Sequence, residues 1–236
     1  MRRPNLPPGG WAFQYENPHY PDVDDTAVVG MLLHRNGDPA HAAAIARARD
    51  WIIGMQSSDG GWGAFEPENT HLYLNHIPFA DHGALLDPPT ADVTARCVSF
   101  LAQIGMVADA PVLARAVAWL ASVQREDGGW GEDEESYGEA PHGRYRTSTA
   151  SQTAWAVLGL MAAGATDHPA VVRGIDYLMA MQREDGEWTE WPYTAVGFPR
   201  VFYLRYHGYR RYFPAMALAR YRNLRRGNAK HVTLGF

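Results

Sequence analysis

Three short stretches of this 236-residue chain are nearly the same: Met55-Gln56-Ser57-Ser58-Asp59-Gly60-Gly61-Trp62-Gly63, Val123-Gln124-Arg125-Glu126-Asp127-Gly128-Gly129-Trp130-Gly131 and Met181-Gln182-Arg183-Glu184-Asp185-Gly186-Glu187-Trp188. Their glutamines fall 68 and 58 residues apart, a period that belongs to architectures built from helix pairs and loops. Such a unit cannot bury its apolar surface alone, so neighbouring units must stack.

Each unit reads as an apolar helix (26–33, 94–104, 153–163), a glycine-containing turn and a more amphipathic helix (45–53, 112–123, 171–179) that runs to the glutamine. Helices that are apolar nearly all round belong inside and amphipathic ones outside. The pattern predicts an all-α fold of two concentric helical layers, with an inner layer of helices beginning at Asp24, Asp92 and Ser151 and negligible strand. The repeated element reads as a structural clamp. Asp-Gly supplies a tight turn, the Trp lies against the neighbouring repeat, and the Gln amide bonds to backbone at a helix end. Gly9-Gly10-Trp11-Ala12-Phe13 looks like the tail of one more such unit.

Composition narrows the partners. With 46% hydrophobic and 20% charged residues the chain is a folded protein, apart from a basic C-terminal tail at about 223–236. A net charge of -5, with positive residues scattered except at 205–211 and 220–230, argues against nucleic acid. The single Cys97 rules out an intrachain disulfide and a thiolate zinc site, and fits a reducing compartment. His71, His76, His82, His142, His168 and His207 adopt no metal-ligand spacing, so no metal or other cofactor is expected. No 18-residue apolar run and no signal-peptide core occur, which leaves attachment to a membrane surface as the membrane role still open. The run 132–135 reads as a solvated acidic loop without catalytic part.

The strongest chemical signal is Asp22-Val23-Asp24-Asp25-Thr26, three carboxylates where a loop becomes an apolar helix. Three readings stay open. Like charges sharing a site disfavour a second ionisation, so one carboxyl can hold its proton and act as an acid. Alternatively, Asp24 caps the helix, as Asp92 and Ser151 do in the matching patterns Asp92-Val93-Thr94-Ala95 and Ser151-Gln152-Thr153-Ala154, beside a solvated acidic turn. The third reading is a divalent-metal site.

Taken together, Pro21-Asp22-Val23-Asp24-Asp25-Thr26-Ala27-Val28-Val29, the Gln-Trp elements, Asn75-His76-Ile77-Pro78-Phe79, the stretch from Asp87 to Arg96, Ser148-Thr149-Ala150-Ser151-Gln152-Thr153-Ala154-Trp155 and Gly197-Phe198-Pro199-Arg200-Val201-Phe202-Tyr203-Leu204 resemble the squalene-hopene cyclases, class II triterpene cyclases. The resemblance covers essentially the whole chain. It implies that residues 1–236 are the C-terminal portion of such a protein, an incomplete α/α barrel (toroid) of Gln-Trp repeats. The implied activity protonates the terminal alkene of squalene and guides carbocation polycyclisation to hopene or hopanol, in an enzyme seated on one membrane leaflet, on the cytoplasmic side of the inner membrane. The family's proton donor falls on Asp24, its flanking carboxylates on Asp22 and Asp25, and its basic partner, a histidine in some members, on Arg96. Arginine orients or holds a carboxylate ionised but does not pass protons at neutral pH. Cavity-lining positions fall on Phe13, Phe65, Phe79, Phe198, Phe202, Tyr206 and Tyr209, where ring faces stabilise cations.

The chain departs from that family in two ways. One repeat between the helix ending near Gln124 and the Asp-Gly-Gly-Trp that follows is fused away, and the second domain and the barrel's opening helices have no counterpart. An open wall admits water, which a carbocation does not survive. A completing chain, or a second copy, is therefore an expected partner, and a catalytically silent repeat fragment is the alternative to a cyclase.

Overall fold

Each unit's first helix ends at a glycine in the left-handed region, Gly37, Gly105 and Gly164 at φ 72°, 94° and 80°, where a Cβ would be strained. Two of the second helices open on proline, Pro111 and Pro169, at a position whose N–H has no helical partner. A computed structural model, which describes residues 3–17, 19–68, 71–76, 86–132, 147–194, 196–198 and 202–227, builds these signals into three helix pairs and a seventh helix. The pairs are α1 (Val23–Asn36) with α2 (Ala42–Gly54), α3 (Ala91–Gln103) with α4 (Pro111–Ser122) and α5 (Ala150–Ala162) with α6 (Pro169–Ala180), followed by α7 (Tyr209–Arg225). Strand is confined, among the described residues, to two antiparallel hairpins, β1 (Trp11–Ala12) with β2 (Pro21–Asp22) and β3 (Val196–Phe198) with β4 (Phe202–Leu204).

The two expected layers are present. Helix α1 packs on α3, α3 on α5 and α5 on α7, while α2, α4 and α6 each lie on their own inner partner. Nearly every residue of α3 and α5 is buried, as their all-round apolar sequences require. The inner helices begin within one residue of the expected starts, but the caps are a correction: Asp22, Thr90 and Thr149 occupy the N-cap positions, two residues ahead of Asp24, Asp92 and Ser151. The pairing of Trp11 with Asp22 across the first hairpin sets where the chain enters α1. Asp22 then accepts the Asp25 N–H at 3.0 Å as an N-cap carboxylate should.

The clamp uses five kinds of bond, three of which join consecutive units. Gln56 Nε2 donates to Gly60 O within its own loop and to Val112 O of α4, both at 2.9 Å. Gln124 Nε2 repeats this with Gly128 O at 2.8 Å and Ala170 O of α6 at 2.9 Å. Arg115 and Arg173 return a hydrogen bond to the Oε1 of Gln56 and Gln124. The backbone N–H of Trp11, Trp62 and Trp130 donates to Thr26, Thr94 and Thr153, each four residues past an inner helix's N-cap, at 2.8, 3.0 and 3.0 Å. The indoles of Trp62, Trp130 and Trp188 turn back to bond their own outer helices, at Ile52, Leu120 and Leu178 O, all at 2.8 Å.

At Gly9 a Cβ would lie 2.3 Å from Arg47 O, the approach that Gly60 makes to Arg115 O at 2.6 Å and Gly128 to Arg173 O at 2.7 Å. Residues 9–11 are thus seated on α2 as a clamp tail, as their sequence indicates. One contact marks the fused repeat. Helices α3 and α5 touch backbone to backbone at Gly159, whose Cβ would meet Ala95 Cα at 2.8 Å, so the two inner helices are immediate neighbours.

The clamp glutamines differ in what they hold. Gln56 is buried and bridges two units, so Gln56→Ala strands two carbonyls and the Arg115 guanidinium; it should cost about 2 kcal/mol in urea denaturation. Gln182, exposed and bonded through its side chain to Gly186 O alone among the described residues, should cost below about 0.5 kcal/mol on the same substitution. Equal losses would mean that the cross-unit bonds contribute nothing.

Candidate functional site

Capping by Asp22 leaves Asp24 in the first turn of α1 with its carboxylate available for other partners. Arg96, one and a half turns into α3, donates from Nη1 to Asp24 Oδ2 through a single contact, the two side chains being 12% and 27% exposed. Behind the guanidinium stands Trp155 of α5, with Arg96 Cζ 4.8 Å from its ring centroid. Tyr209 of α7 meets that indole edge-on at 5.0 Å and Phe213 lies tilted against it at 4.6 Å. Tyr206 stacks on Tyr209 at 4.9 Å and 15°. Four consecutive inner helices thus contribute to one line of side chains: acid, base, indole, phenol.

The electrostatics of this mouth are set by burial. Burial first, and then the charge of Asp24, push the Asp22 carboxyl up to about 7 from 3.8, against the lowering bond from the Asp25 N–H. Asp25 is also raised, by burial and by Asp24, with Arg96 opposing. Burial opposes the charge on Arg96, but Asp24 and then Asp92 more than offset it, and the guanidinium is held above its ordinary range. Asp24 Oδ1 and Asp92 Oδ1 are buried atoms without a hydrogen-bond partner among the described residues. Asp87, just before α3, is a second raised carboxyl, pushed by burial to about 7 although it accepts the Phe65 N–H at 2.8 Å.

Of the residues singled out from sequence, Asp22, Asp24, Asp25, Arg96, Tyr206 and Tyr209 are brought together. Phe13 (75% exposed) and Phe65 (45%) are not part of that line. Phe65 instead borders a small cleft with Arg3, Leu6, Trp51, Met55, Glu66 and Pro67. Phe79 lies outside the described residues, and Phe198 and Phe202 are placed by backbone only, in β3 and β4. Trp155 and Phe213 were not singled out. Trp155 stands six residues past the Thr149 cap as Arg96 stands six past Thr90, so aligning the repeats at their caps would have paired them. Glu132 corrects the reading of 132–135 as solvated: it is 2% exposed, with the Gln152 amide at 3.5 Å, because it directly follows the clamp loop that is packed on α5. Residues 133–135 are outside the described set. Among the described residues no three His, Cys, Asp or Glu converge on a possible metal position, and no helix is long and apolar enough to cross a membrane.

Concentric helix pairs tied by Gln-Trp clamps, with an acid cluster at an inner-helix mouth, define an α/α ring protein with an acid-bearing inner face. The family described as squalene-hopene cyclase C-terminal domain matches residues 1–117 and 101–223, so that 101–117 matches twice. The squalene–hopene cyclase of Bradyrhizobium diazoefficiens is 51% identical over 289 residues, covering 100% of this chain and 44% of that protein. That of Alicyclobacillus acidocaldarius is 40% identical, covering 94% of this chain and 43% of that protein. The chain belongs to the squalene-hopene cyclase family. It spans less than half the length of these relatives, and the aligned length beyond its own 236 residues is about one helix-pair repeat, as the double match at 101–117 also requires. Among solved structures, a possible member of the GH105 family from Salmonella enterica has a TM-score of 0.50 at 18% identity, covering 96% of this chain and 63% of that one, a likeness of fold alone.

The raised carboxyl at Asp22 has a measurable consequence. Between about pH 4 and 7 the folded protein keeps a proton that the unfolded chain has released, so this group's stabilisation is full below pH 4 and is lost as pH rises through 7. Asp22→Asn retains a capping side chain but not the titration. Its thermal stability should therefore decline less than wild type across that window, the difference reaching up to about 1.4 kcal/mol per pH unit. Parallel pH profiles would show that Asp22 titrates normally.

Proposed function

We propose that this chain supplies the acid-bearing wall of a triterpene cyclase acting on squalene or a related linear isoprenoid. The observation that carries the reading is the Asp22–Asp24–Asp25 cluster, which retains a proton near neutrality while Arg96 holds Asp24 from the adjacent inner helix. Protonating an unactivated alkene requires an acid that keeps its proton until substrate arrives and a surrounding charge that stabilises what is left behind. Through Asp24, the carboxyl paired with Arg96, the cluster delivers its retained proton to the terminal alkene carbon, whose π electrons form the new C–H bond and leave a tertiary cation. Arg96 stabilises the resulting carboxylate but transfers no proton itself. Asp22 and Asp25, both raised by burial and by the charge of Asp24, are where that proton is held until then. The faces of Tyr206 and Tyr209 favour positive charge on the substrate, and the reaction ends by proton loss to hopene or capture of water to hopanol.

Attachment to one leaflet at the cytoplasmic face of the inner membrane is part of the proposal. It is supported by the family assignment and by the absence of a spanning helix among the described residues. A catalytically silent or partner-dependent repeat fragment is the second reading. The half-exposed Tyr206 and the exposed Phe13 favour it, since among the described residues no inner helix packs over them.

Two measurements separate these readings. Squalene incubated in detergent with the 236-residue chain alone should give neither hopene nor hopanol; robust product would show that the missing wall is dispensable. In the Bradyrhizobium diazoefficiens relative carrying residues 11–104 of this chain in place of its own, hopene should form, and Asp24→Asn should reduce it by ~10²–10⁴ or more. Near-normal turnover of that variant would remove Asp24 from the mechanism.

A further inference from the structure

The third clamp is built like the other two but, among the described residues, holds no outer helix. At Gly60 and Gly128 a Cβ would strike the Arg115 and Arg173 carbonyls at 2.6 and 2.7 Å, because an outer helix lies on each loop; at Gly186 the nearest such atom is its own loop's Gln182 Nε2, at 4.0 Å. Gln56 and Gln124 each reach a carbonyl on that helix, whereas the Gln182 amide reaches only Gly186 O. Glu187, which replaces the second glycine, does not fill the slot, since it is paired with Arg211 of α7.

The adjoining inner helix shows the same vacancy. Among the described residues, α7 is an inner helix without an outer partner. Eight residues past the N-cap of α5 stands Val157, fully buried, with the space for a Cβ at Gly174 of α6 taken up by its Cγ1 at 2.5 Å. Met216, eight past the cap of α7, is 40% exposed, and Tyr212, at the position of Thr153, is 68% exposed. Clamp and apolar stripe are two halves of one unfilled position, and an apolar helix face left open in this way marks an interaction site.

We propose that Gln182, Gly186, Tyr212 and Met216 form a socket for one outer-type helix from separate sequence of the relatives' kind, beyond the described residues, a helix carrying an arginine with an aromatic residue four positions on. The two filled clamps specify that chemistry. Arg115 with Trp119 and Arg173 with Tyr177 are what the first and second clamps hold, through Arg115 and Arg173 to the glutamine Oε1, Trp119 Nε1 to Asp59 at 3.1 Å and Tyr177 OH to Ser148 O at 2.9 Å. A second copy of this chain is disfavoured as the donor. Its one helix with the right spacing and no clamp glutamine bound, α2 with Arg47 and Trp51, is already covered by its own Gly9 and Gly10. The relatives, of which this chain spans 43–44%, contain further sequence of their kind from which such a helix can come. The socket is independent of the chemistry at Asp24, so failure of the catalytic reading leaves it standing.

The chain's own α4 provides the probe. A fluorescent peptide of residues 110–124, cross-linked between the solvent-facing positions 114 and 118 to keep it helical, is titrated with the 236-residue chain and followed by anisotropy. Saturable binding is expected, at least tenfold weaker for the peptide with Arg115→Ala and for the chain with Gln182→Ala or Met216→Arg, whose exposed positions leave the helical circular dichroism unchanged. No saturation up to millimolar chain, or binding indifferent to all three changes, would overturn the socket. A discrete dimer in sedimentation that is lost with Gln182→Ala would overturn the separate partner by placing a second copy there.

Discussion

One side-chain amide bridging two carbonyls from consecutive repeats organises this molecule. Gln56 and Gln124 each close their own loop and, with the same NH₂ group, fix the start of the next outer helix. Both protons of the amide are used, which is what makes glutamine the residue for the task. The Trp N–H to threonine bond then fixes the next inner helix relative to the same loop. Each unit therefore positions its successor in both layers, and the curvature of the arc is a sum of identical local steps.

That construction determines where the acid lies. Because α1, α3 and α5 are each docked at the N-terminal turn by the preceding Trp, their N-termini are brought to one end of the arc, and residues two past each cap form a row: Asp24, Asp92 and Ser151. Asp24 finds Arg96 from the neighbouring helix. Ser151, in the third unit, instead donates from its hydroxyl to Glu190 Oε1 and from its backbone N–H to Glu190 Oε2, both at 2.9 Å. Glu190 too is raised by burial. The same scaffold position thus carries an arginine-paired carboxylate in one unit and an internally satisfied hydroxyl in another, and only in the first do three carboxylates crowd a cap.

Much of this was legible in the sequence because the clamp residues are local and repeated. Helix pairs, their layer and the acid–arginine pair all follow from spacing or resemblance. The cap of α1 was not legible: Asp22, Asp24 and Asp25 are all good capping types, and only the Trp11–Asp22 strand pairing selects among them. Glu132 was misread because an acidic run looks solvated, while its burial depends on Gln152 arriving from the next helix. Trp155 behind Arg96 stayed hidden for a related reason. The contact joins inner helices whose spacing in sequence is altered by the fused repeat, so period alone could not align them.

The fusion itself is tolerated for a physical reason. Removing a fragment of a repeat would shift a glutamine out of reach of its carbonyls, whereas removing one whole period leaves the clamp at the junction facing a helix of the right kind. Here the second clamp's glutamine makes the same two bonds as the first, within 0.1 Å, one to its own loop and one to the next outer helix, α6 in place of α4. The inner layer must also close, and it does so only because Gly159 lets α5 approach Ala95 of α3 without a side chain between them. Local docking explains why such an arc folds with one unit fewer: a shorter arc is as well formed at each step and only subtends less of the ring.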